Sequence, residues 1–493
     1  NLDTTLLINT SYFYKANDLF LDDEGVFWVA DGFRSLSRAV IGGTAASYAP
    51  EGPKSNHVFS IFSGEPLIVS TGGIADWNNA NITKGVYWSD GLIWGSVSYE
   101  ELEETRDITM ALKDPLNNKI YLSSWNGGLL TLIKNGEHYK LETIFNHVNT
   151  NGALQTLELN PSENEYGWVR IRGLAFDDAG NLWLSNSGVD NPLVVKTAEG
   201  DWYSFPISSN NSSSYFGNLL IDDVGQIWMI TKNEGLVVYF NNGTLENVSD
   251  DLDKQLVSSV GSGGLPSNEV YSLAKDKDGE IWVGTNKGVA VFYSPENIFS
   301  TNEFDAQQIL VDVDGYIELL LENETVTSIA VDEANRKWLG TQSSGVYLFS
   351  EDGTKQVHHF TKENSPILSN TILDVKINNE SGIVYFGTDL GLTSYKSNAT
   401  KGEENHNNVI VYPNPVKENY MGPIAIKGLV NSASVKITGL NGDLVFSTQA
   451  FGGQAVWNGK NDLGERVQTG VYLVFSSDQF GVETNVAKIL FIK

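Results

Sequence analysis

The sequence LAKDKDGEIWVGT at residues 273–285 contains the pattern that decides the fold. An apolar segment is followed by an acidic turn ending in Gly, and a second apolar segment carries a Trp. Apolar segments separated by Asp, Asn and Gly are typical of β-hairpins. Residues 281–283 are continuously apolar, which indicates a strand covered on both faces. One hairpin cannot cover both of its own faces, so the pattern predicts similar neighbours on either side.

This sequence motif recurs along the chain, and in each of five clear copies the Trp lies nine residues after the first residue of the motif. The copies are LFLDDEGVFWVAD at 19–31, LAFDDAGNLWLSN at 174–186, LLIDDVGQIWMIT at 219–231, LAKDKDGEIWVGT at 273–285 and IAVDEANRKWLGT at 329–341. Looser copies end at residues 120–122 and 384–386, and a degenerate one lies around 59–70. The mean spacing of about 51 residues accommodates four strands. We therefore expect an all-β protein with a seven- or eight-bladed β-propeller.

The same pattern sets the expected domain boundaries. We expect the propeller to cover residues 1–400, a polar linker to cover 401–408 and a separate module to cover 409–493. The last repeat has no outer strand after residues 392–395, and the apolar segment TLLIN at residues 5–9 could supply it. That N-terminal strand would close the ring and remove an exposed sheet edge.

Composition excludes several functions. The chain has 61 Asp and Glu against 32 Lys and Arg, and its formal net charge of −29 disfavours nucleic acid as a partner. It contains no Cys, so a thiol nucleophile, a disulfide and a cysteine metal site are all excluded. No segment approaches 18 uninterrupted apolar residues, so no membrane-spanning helix is expected.

No motif for catalysis or metal binding is evident. None of the six His lies in an H-E-x-x-H motif, and there is no G-x-S-x-G elbow. The turn at residues 276–279 is spaced like part of a calcium loop, but Ala274 and Thr285 stand where that loop needs acids. We interpret it as a hairpin turn, and we expect no catalytic residue, cofactor or metal.

Aromatic residues provide the candidates for ligand contact. The Trp of each repeat is interpreted as a packing residue between blades, because its position is the same in every copy. Trp77, Trp88 and Trp94 lie outside that position, in the least regular blade. Exposed aromatic rings stack on sugars, so these three are candidates for ligand contact. Ordinary packing within a strand is the alternative.

The pattern changes at residue 409. About seven short strands in roughly 85 residues predict a small Ig-like β-sandwich. Asn441 and Gly442 form a strong hairpin signal between two alternating strands.

Two resemblances follow from these motifs. The segment GLPSNEV at 264–270, together with the motif that begins at residue 273, resembles the two-component regulator propeller repeat. The C-terminal module resembles the sorting domain of the bacterial type IX secretion system. This second resemblance rests on an apolar last strand that ends in Lys and on eight residues. They are Tyr412, Pro413, Asn414, Pro415, Gly442, Trp457, Gly470 and Tyr472. The Ig-like domain of flagellar hook-capping proteins is a looser match, and the same residues are alternatively explained by the shape of the sandwich.

Propeller repeats of this type followed by this module resemble the PorZ family of type IX attachment-complex subunits, over nearly the whole chain. The resemblance implies a non-enzymatic accessory subunit on the outer face of the outer membrane, which assists a sortase in anchoring cargo to anionic lipopolysaccharide. It implies the sortase PorU, PorV and PorQ as partners. The family has two seven-bladed propellers, whereas one ring and eight candidate segments are evident here.

Three other functions are compatible with the sequence. A secreted glycan-binding adhesin would use the module only as an export signal and would lose it after Asn408. The extracytoplasmic sensor propeller of a two-component system uses the same repeats, but no transmembrane segment or kinase follows them here. A propeller lyase or hydrolase is the third, because carboxylate pairs depend on the fold.

Overall fold

The computed structural model describes residues 16–31, 35–40, 46–48, 52–157, 168–208, 214–300, 304–313, 316–406, 408–478, 480–481 and 484–492. In these ranges the regular structure is β-strand, apart from a single 3₁₀ turn at Pro295–Asn297. None of their helical structure is long or apolar enough to cross a membrane. The chain is all-β, as predicted.

The repeat around Trp28 forms an antiparallel four-stranded sheet of its own. Its strands are β1 (Ala16–Leu21), β2 (Val26–Asp31), β3 (Ser35–Val40) and β4 (Ala46–Tyr48). Leu19 is 57% exposed, whereas Leu174 and Leu219, at the matching position of later repeats, are buried. Within the part of the chain that the structure describes, this sheet therefore lacks the close neighbours that cover the other repeats.

Seven further sheets follow along the chain. The first contains β5 (Ser60–Phe62), β6 (Leu67–Ser70), an inserted hairpin of β7 (Ile74–Ala75) and β8 (Asn78–Asn79), then β9 (Val86–Ser89) and β10 (Trp94–Val97). The second contains β11 (Ile108–Lys113), β12 (Ile120–Ser124), β13 (Gly128–Asn135) and β14 (His138–Phe145). The third contains β15 (Ile171–Phe176), β16 (Leu182–Asn186), β17 (Leu193–Lys196) and β18 (Trp202–Phe205). The fourth contains β19 (Phe216–Ile221), β20 (Ile227–Thr231), β21 (Leu236–Phe240) and β22 (Leu252–Leu256).

The remaining three sheets repeat the same antiparallel order. The fifth contains β23 (Val270–Lys275), β24 (Ile281–Thr285), β25 (Gly288–Phe292) and β26 (Gln307–Gln308). A separate hairpin of β27 (Leu310–Val313) and β28 (Tyr316–Leu319) follows it. The sixth contains β29 (Val326–Val331), β30 (Lys337–Thr341), β31 (Val346–Phe349) and β32 (Gln356–Phe360), and the seventh contains β33 (Ile372–Asn378), β34 (Ile383–Thr388) and β35 (Gly391–Lys396).

The seven sheets form a ring through contacts between their first strands. These contacts run from β5 through β11, β15, β19, β23, β29 and β33, and then return to β5. Ile61 and Tyr87 of the first sheet pack against Tyr385 and Leu392 of the seventh, which closes the ring. The sheet around Trp28 is not part of this cycle. The predicted closing strand at residues 5–9 lies outside the described residues.

One hydrogen bond recurs in all five clear repeats, from the Trp indole to the Asp six residues before it. The pairs are Trp28 with Asp22 at 2.8 Å, Trp183 with Asp177 at 2.8 Å, Trp228 with Asp222 at 2.9 Å, Trp282 with Asp276 at 3.2 Å and Trp338 with Asp332 at 3.2 Å. Each carboxylate also accepts the backbone N–H four residues after it. The acidic turns therefore act as hydrogen-bond acceptors within their own hairpins, which agrees with their interpretation as turns.

The C-terminal strands form two sheets over one core. The strands are β36 (Ile410–Tyr412), β37 (Val416–Lys417), β38 (Ile424–Lys427), β39 (Ser434–Gly439), β40 (Leu444–Gln449), β41 (Gln454–Trp457), β42 (Gly470–Ser477) and β43 (Thr484–Ile492). The sheet orders are β36-β38-β41 and β37-β43-β42-β39-β40. Ile426 and Trp457 from the first sheet meet Ile437 and Phe491 from the second in a single apolar cluster.

The segment between ring and C-terminal module is bonded to both. Lys401 N–H donates to the carbonyl of Asn379 in the ring at 2.8 Å, and Gly453 N–H of the module donates to the carbonyl of Thr400 at 2.7 Å. Glu403 N–H donates to the carbonyl of Leu429 at 2.9 Å. The predicted linker at 401–408 is therefore anchored along residues 401–403.

Candidate functional site

The ring has two chemically different ends. In each sheet the acidic turn joins the first strand to the second, and the connection from the second strand to the third lies at the opposite end. The C-terminal module packs at the acidic-turn end, where Arg336 donates to Ser397 and Asn398 and lies 4.7 Å from the ring centre of Phe451. The opposite end carries the β7–β8 hairpin, and we call it the Trp77 end.

The β7–β8 hairpin holds Trp77 in an unusual backbone conformation. Asp76 has a φ of 46° and Trp77 a φ of 62°, in the left-handed region that Gly and Asn adopt more readily. Such a conformation costs about 1–3 kcal/mol at a non-Gly residue and is enriched at functional sites. The stem is fixed by buried Asp107, which accepts the N–H groups of Asn81 at 2.9 Å and Ile82 at 2.8 Å. The turn conformation and the fixed stem together determine where the Trp77 ring lies.

Trp77 reaches from the first sheet to the fourth. A Cβ added at Gly217 would lie 3.2 Å from Cη2 of Trp77. Lys232 in the fourth sheet lies 3.7 Å from the carboxylate of Asp76, next to Trp77 in the hairpin. The absence of a side chain at Gly217 thus allows the indole to lie against the first strand of the fourth sheet.

The rings of Trp77, Trp125 and Tyr215 lie close together at the Trp77 end, and the guanidinium of Arg170 lies beside them. Trp77 lies 6.0 Å from Trp125 and 6.4 Å from Tyr215, measured between ring centres. The guanidinium of Arg170 lies 5.4 Å from the Tyr215 ring and 5.8 Å from the Trp168 ring. Cation–π contacts of this kind orient a desolvated guanidinium. Arg170 is 5% exposed, and its Nε has no hydrogen-bond partner among the described residues.

An open groove of about 510 Å³ lies beside this cluster, and we call it the outer groove. Its lining residues are Asn78, Asn79, Asn81, Tyr99, Glu104, Arg106, Asn126, Trp168 and Arg170. Amide groups, two aromatic rings and two guanidinium groups together suit a ligand that carries hydroxyl and anionic groups. The Arg106 Nε donates to the Tyr99 hydroxyl at 3.4 Å, and this contact raises the pKa of Arg106.

A second cavity of about 490 Å³ lies on the ring side of the hairpin, and we call it the inner cavity. Its lining includes Phe59, Trp77, Arg172, Asn218 and Tyr271. These residues belong to the first, third, fourth and fifth sheets or precede their first strands, so the ring itself assembles the cavity.

The Trp77 end concentrates the arginines of an acidic protein. Of seven Arg in the chain, Arg106, Arg170 and Arg172 line one of the two cavities. Arg donates several hydrogen bonds in a fixed plane and suits carboxylate and phosphate groups. The carboxylates of Asp76, Glu104 and Glu269 line the same cavities, so the two signs of charge are balanced at this end. Because the whole chain has a net charge of −29, we treat this end as a candidate site for an anion.

The three predicted ligand-contact tryptophans occupy different environments. Trp77 is half-buried and lines the inner cavity. Trp88 is 3% exposed and packs edge-on against Tyr139, with ring centres 5.3 Å apart. Trp94 is half-buried against the cluster that joins the first and seventh sheets. Packing accounts for Trp88 and Trp94, so a ligand-contact role is retained here for Trp77 alone.

The sequence interpretation missed Trp125, Trp168, Arg170 and Tyr215. These residues lie in connections between strands, where no repeat position marks them. The available signal was WVRIR at residues 168–172, which places two of the seven arginines beside a Trp directly before a repeat.

The residues that carry the resemblance to a sorting domain lie at structural positions of the C-terminal module. The Asn414 side chain donates to the carbonyl of Lys488 at 2.8 Å and accepts the N–H of Leu490 at 3.0 Å, so it pairs with β43 like a strand. Its neighbours Pro413 and Pro415 both follow cis peptide bonds. Tyr412 is 72% exposed on β36.

The other motif residues lie in the core and at a turn. Trp457 is fully buried and donates to the carbonyl of Lys460 at 2.7 Å. Tyr472 lies edge-on to Trp457 with ring centres 5.9 Å apart, two residues after Gly470 at the start of β42. Gly442 has a φ of 88°, as a tight turn after Asn441 requires.

No group of three or more His, Asp or Glu side chains in the described ranges is placed to bind a metal ion. Within the same ranges, the polar groups at the Trp77 end are donors and acceptors suited to recognition, and we assign none of them a catalytic role.

Comparison with known proteins identifies the kind of propeller. The profile of the family described as "Two component regulator propeller" matches residues 264–287. No curated protein matches the chain. Among solved structures, PorZ of Porphyromonas gingivalis, a surface component of the type IX secretion system, aligns over 95% of this chain with 27% identity and a TM-score of 0.71. This chain is therefore similar to PorZ in sequence and fold, and it spans 64% of the PorZ chain.

A second solved structure is the extracellular domain of a hybrid two-component system from B. thetaiotaomicron. It covers 97% of this chain and 72% of its own length, with 14% identity and a TM-score of 0.37. Similarity at that level adds nothing to the comparison with PorZ.

Proposed function

We propose that this chain is a non-enzymatic accessory subunit of a type IX secretion attachment complex at the cell surface. Its ring acts as a seven-bladed propeller, and its C-terminal module is an Ig-like domain of the sorting type that stays attached. The observation that carries the proposal is the similarity to PorZ, which extends over the ring and the C-terminal module together.

The anchored linker supports retention of the module. A cargo protein needs an accessible segment before its sorting domain, because a protease must bind that segment in an extended, exposed form. Here residues 401–403 are hydrogen-bonded to the ring or to the module, and the neighbouring Asn398 is held by buried Arg336. Cleavage at residues 401–403 would have to break these contacts first.

The proposed partners are the sortase PorU, with PorV and PorQ, and anionic lipopolysaccharide. We assign lipopolysaccharide to the outer groove, because Arg106 and Arg170 lie there beside Tyr99 and Trp168. Guanidinium groups bind phosphate and carboxylate substituents, and the aromatic rings can stack on sugars.

Crosslinking in the cell that makes the protein tests this proposal. A tagged full chain, crosslinked and purified from outer membranes, is expected to recover a PorU-type sortase and lipopolysaccharide. The double variant Arg106→Gln, Arg170→Gln should keep the sortase and lose most of the lipopolysaccharide. Lys275→Gln, Lys277→Gln removes the same charge at the acidic-turn end and should change neither. Recovery of the chain alone, without a sortase, would contradict the proposal.

A secreted glycan-binding cargo protein is the second candidate, and the composition of the outer groove favours it. That candidate differs in one measurable respect, because cargo loses the C-terminal module on secretion. Glycan binding by a mature protein that ends before residue 409 would support the cargo function and exclude the subunit function.

A further inference from the structure

The inner cavity contains a cation, Arg172, that forms no direct ion pair with a described residue. The two carboxylates that also line the cavity contact other groups: Asp76 lies near Lys232, and Glu269 accepts a hydrogen bond from Asn286. Arg172 projects from β15 into the ring, and its guanidinium lies 4.7 Å from the ring centre of Phe59. It donates to the carbonyl of Thr109, and no carboxylate among the described residues forms an ion pair with it. Burial lowers the pKa of Arg172 to about 10, with Asp374 acting in the opposite direction. An unpaired guanidinium in such a place is costly unless an anion joins it.

The nearest acid is already occupied. Asp374 accepts the N–H of Ile61 at 2.8 Å and the hydroxyl of Ser328 at 3.0 Å, and Lys376 lies 3.1 Å from it. Its hydrogen-bonding capacity is thus largely used within the ring. The guanidinium of Arg172 is therefore available to pair with an anionic ligand in the inner cavity.

The other residues that line the inner cavity indicate that its ligand carries hydroxyl groups and an apolar face as well as a negative charge. The Oδ1 atom of Asn218 is buried and has no donor among the described residues, so a hydroxyl or amino group of a ligand would satisfy it. Trp77 and Tyr271 provide the aromatic surface of the cavity wall, and Tyr271 is 44% exposed at the cavity entrance. A volume of about 490 Å³ suits a monosaccharide or disaccharide.

We propose that the inner cavity binds a small sugar acid, whose carboxylate pairs with Arg172, whose hydroxyl group donates to Asn218 and whose ring stacks beneath Trp77. This site differs from the outer groove in its lining and does not depend on the attachment function. It also explains why the chain retains a strained Trp at the hairpin tip, since the ring would form one wall of the binding site.

Titration calorimetry on the purified full chain tests the proposal with D-glucuronate, D-glucose and inorganic phosphate as probes. We expect glucuronate to bind about tenfold or more tightly than glucose, because the charge-assisted hydrogen bond to Arg172 is lost with glucose. Phosphate should bind more weakly than glucuronate, since it offers no pyranose face. Arg172→Gln and Trp77→Ala should each weaken glucuronate binding severalfold. Tyr316→Ala, at an exposed ring outside both cavities, should leave it unchanged.

Three results would overturn the proposal. They are no heat of binding with glucuronate, equal affinity for glucuronate and glucose, or phosphate binding at least as tight as glucuronate. If Arg172→Gln does not fold, Asn218→Leu and Trp77→Ala provide the test, and unchanged affinity in both variants would also exclude the site. These results are independent of whether a sortase is recovered by crosslinking.

Discussion

The indole Nε1 of Trp228 donates a hydrogen bond to the carboxylate of Asp222 at 2.9 Å, and both side chains are buried. The same carboxylate accepts the N–H groups of Val224 and Gln226 and the side-chain amide of Gln226. One acid therefore closes the turn and also fixes the Trp that packs between the fourth and fifth sheets. Equivalent bonds in the other clear repeats make this pair the recurring unit of the ring.

Removing this acid should destabilise the ring. Asp222→Ala leaves a buried indole N–H and turn N–H groups without an acceptor, so we expect the free energy of unfolding to fall by about 2–4 kcal/mol. Asp223→Ala, at the next and exposed position, loses only an exposed pair with Lys275 and should cost at most about 1 kcal/mol. Urea unfolding followed by fluorescence measures both. Equal stability of the two variants would show that the recurring bond has no structural importance.

A buried ion pair joins the fifth and sixth sheets. Lys337 Nζ lies 2.9 Å from Asp276, both side chains are fully buried, and Lys337 also lies 4.5 Å from the Trp282 ring. Lys337→Met leaves the carboxylate without its cation, and we expect a loss of about 3–5 kcal/mol in unfolding free energy. Lys275→Met breaks an exposed pair with Asp223 and should cost at most about 1 kcal/mol. A loss for Lys337→Met no larger than that for Lys275→Met would contradict this interpretation.

Glu280 makes the stability of the same region depend on pH. Burial raises the pKa of Glu280 to about 7, and the charge of Asp276 adds to the effect. The folded state therefore holds this proton more tightly than the unfolded chain, whose carboxyl has its ordinary pKa of 4.5. The stabilisation is complete below the unfolded value and is lost as the pH rises through about 7.

The variant Glu280→Gln cannot titrate and carries the side chain that Gln226 has in the fourth sheet. We expect the Tm of the wild type to fall relative to Glu280→Gln between pH 5 and pH 8, in thermal unfolding monitored by circular dichroism. Glu296→Gln, at an exposed position, should run parallel to the wild type. If Glu280→Gln also runs parallel to the wild type, the assigned pKa is wrong.

Trp77 and Trp88 should respond differently to truncation. Trp88→Ala opens a space in the core between the first two sheets, and a loss of about 3–5 kcal/mol in unfolding free energy is expected. Trp77→Ala removes a half-buried ring and keeps the Cβ atom, so the backbone strain is unchanged and a loss below about 2 kcal/mol is expected. Urea unfolding of the two variants measures the difference. A loss for Trp77→Ala as large as that for Trp88→Ala would indicate that the hairpin is a structural part of the ring.

The ring was predictable because its units repeat. The constant interval from Asp222 to Trp228, and in the other copies, reports one local hydrogen bond that each hairpin makes by itself, so a single sequence reveals it. The number of sheets in the ring was not predictable, because the repeat around Trp28 has the same sequence motif as the others. It differs in the exposure of its apolar residues, such as Leu19 and Phe20, which the sequence does not reveal. Whether a repeat joins a ring depends on what packs against it, which a local pattern does not contain.

The Trp77 end was predictable only in part. Trp77 was identified because it lies outside the repeat position, but Trp125, Arg170 and Tyr215 come from connections in three different parts of the chain. Their proximity depends on ring closure, and no spacing in the sequence encodes it. The same holds for Arg336, whose contacts with Asn398 and Phe451 join the ring to the C-terminal module.

The mass of the mature protein tests the central proposal most directly. The chain should be isolated from the surface of the cells that make it and measured intact by mass spectrometry. A retained attachment subunit predicts a mature chain that still contains residues 409–493, whereas cargo secreted by the same cells ends before its sorting domain. A mature protein that ends between Asn398 and Asn408 would contradict the account.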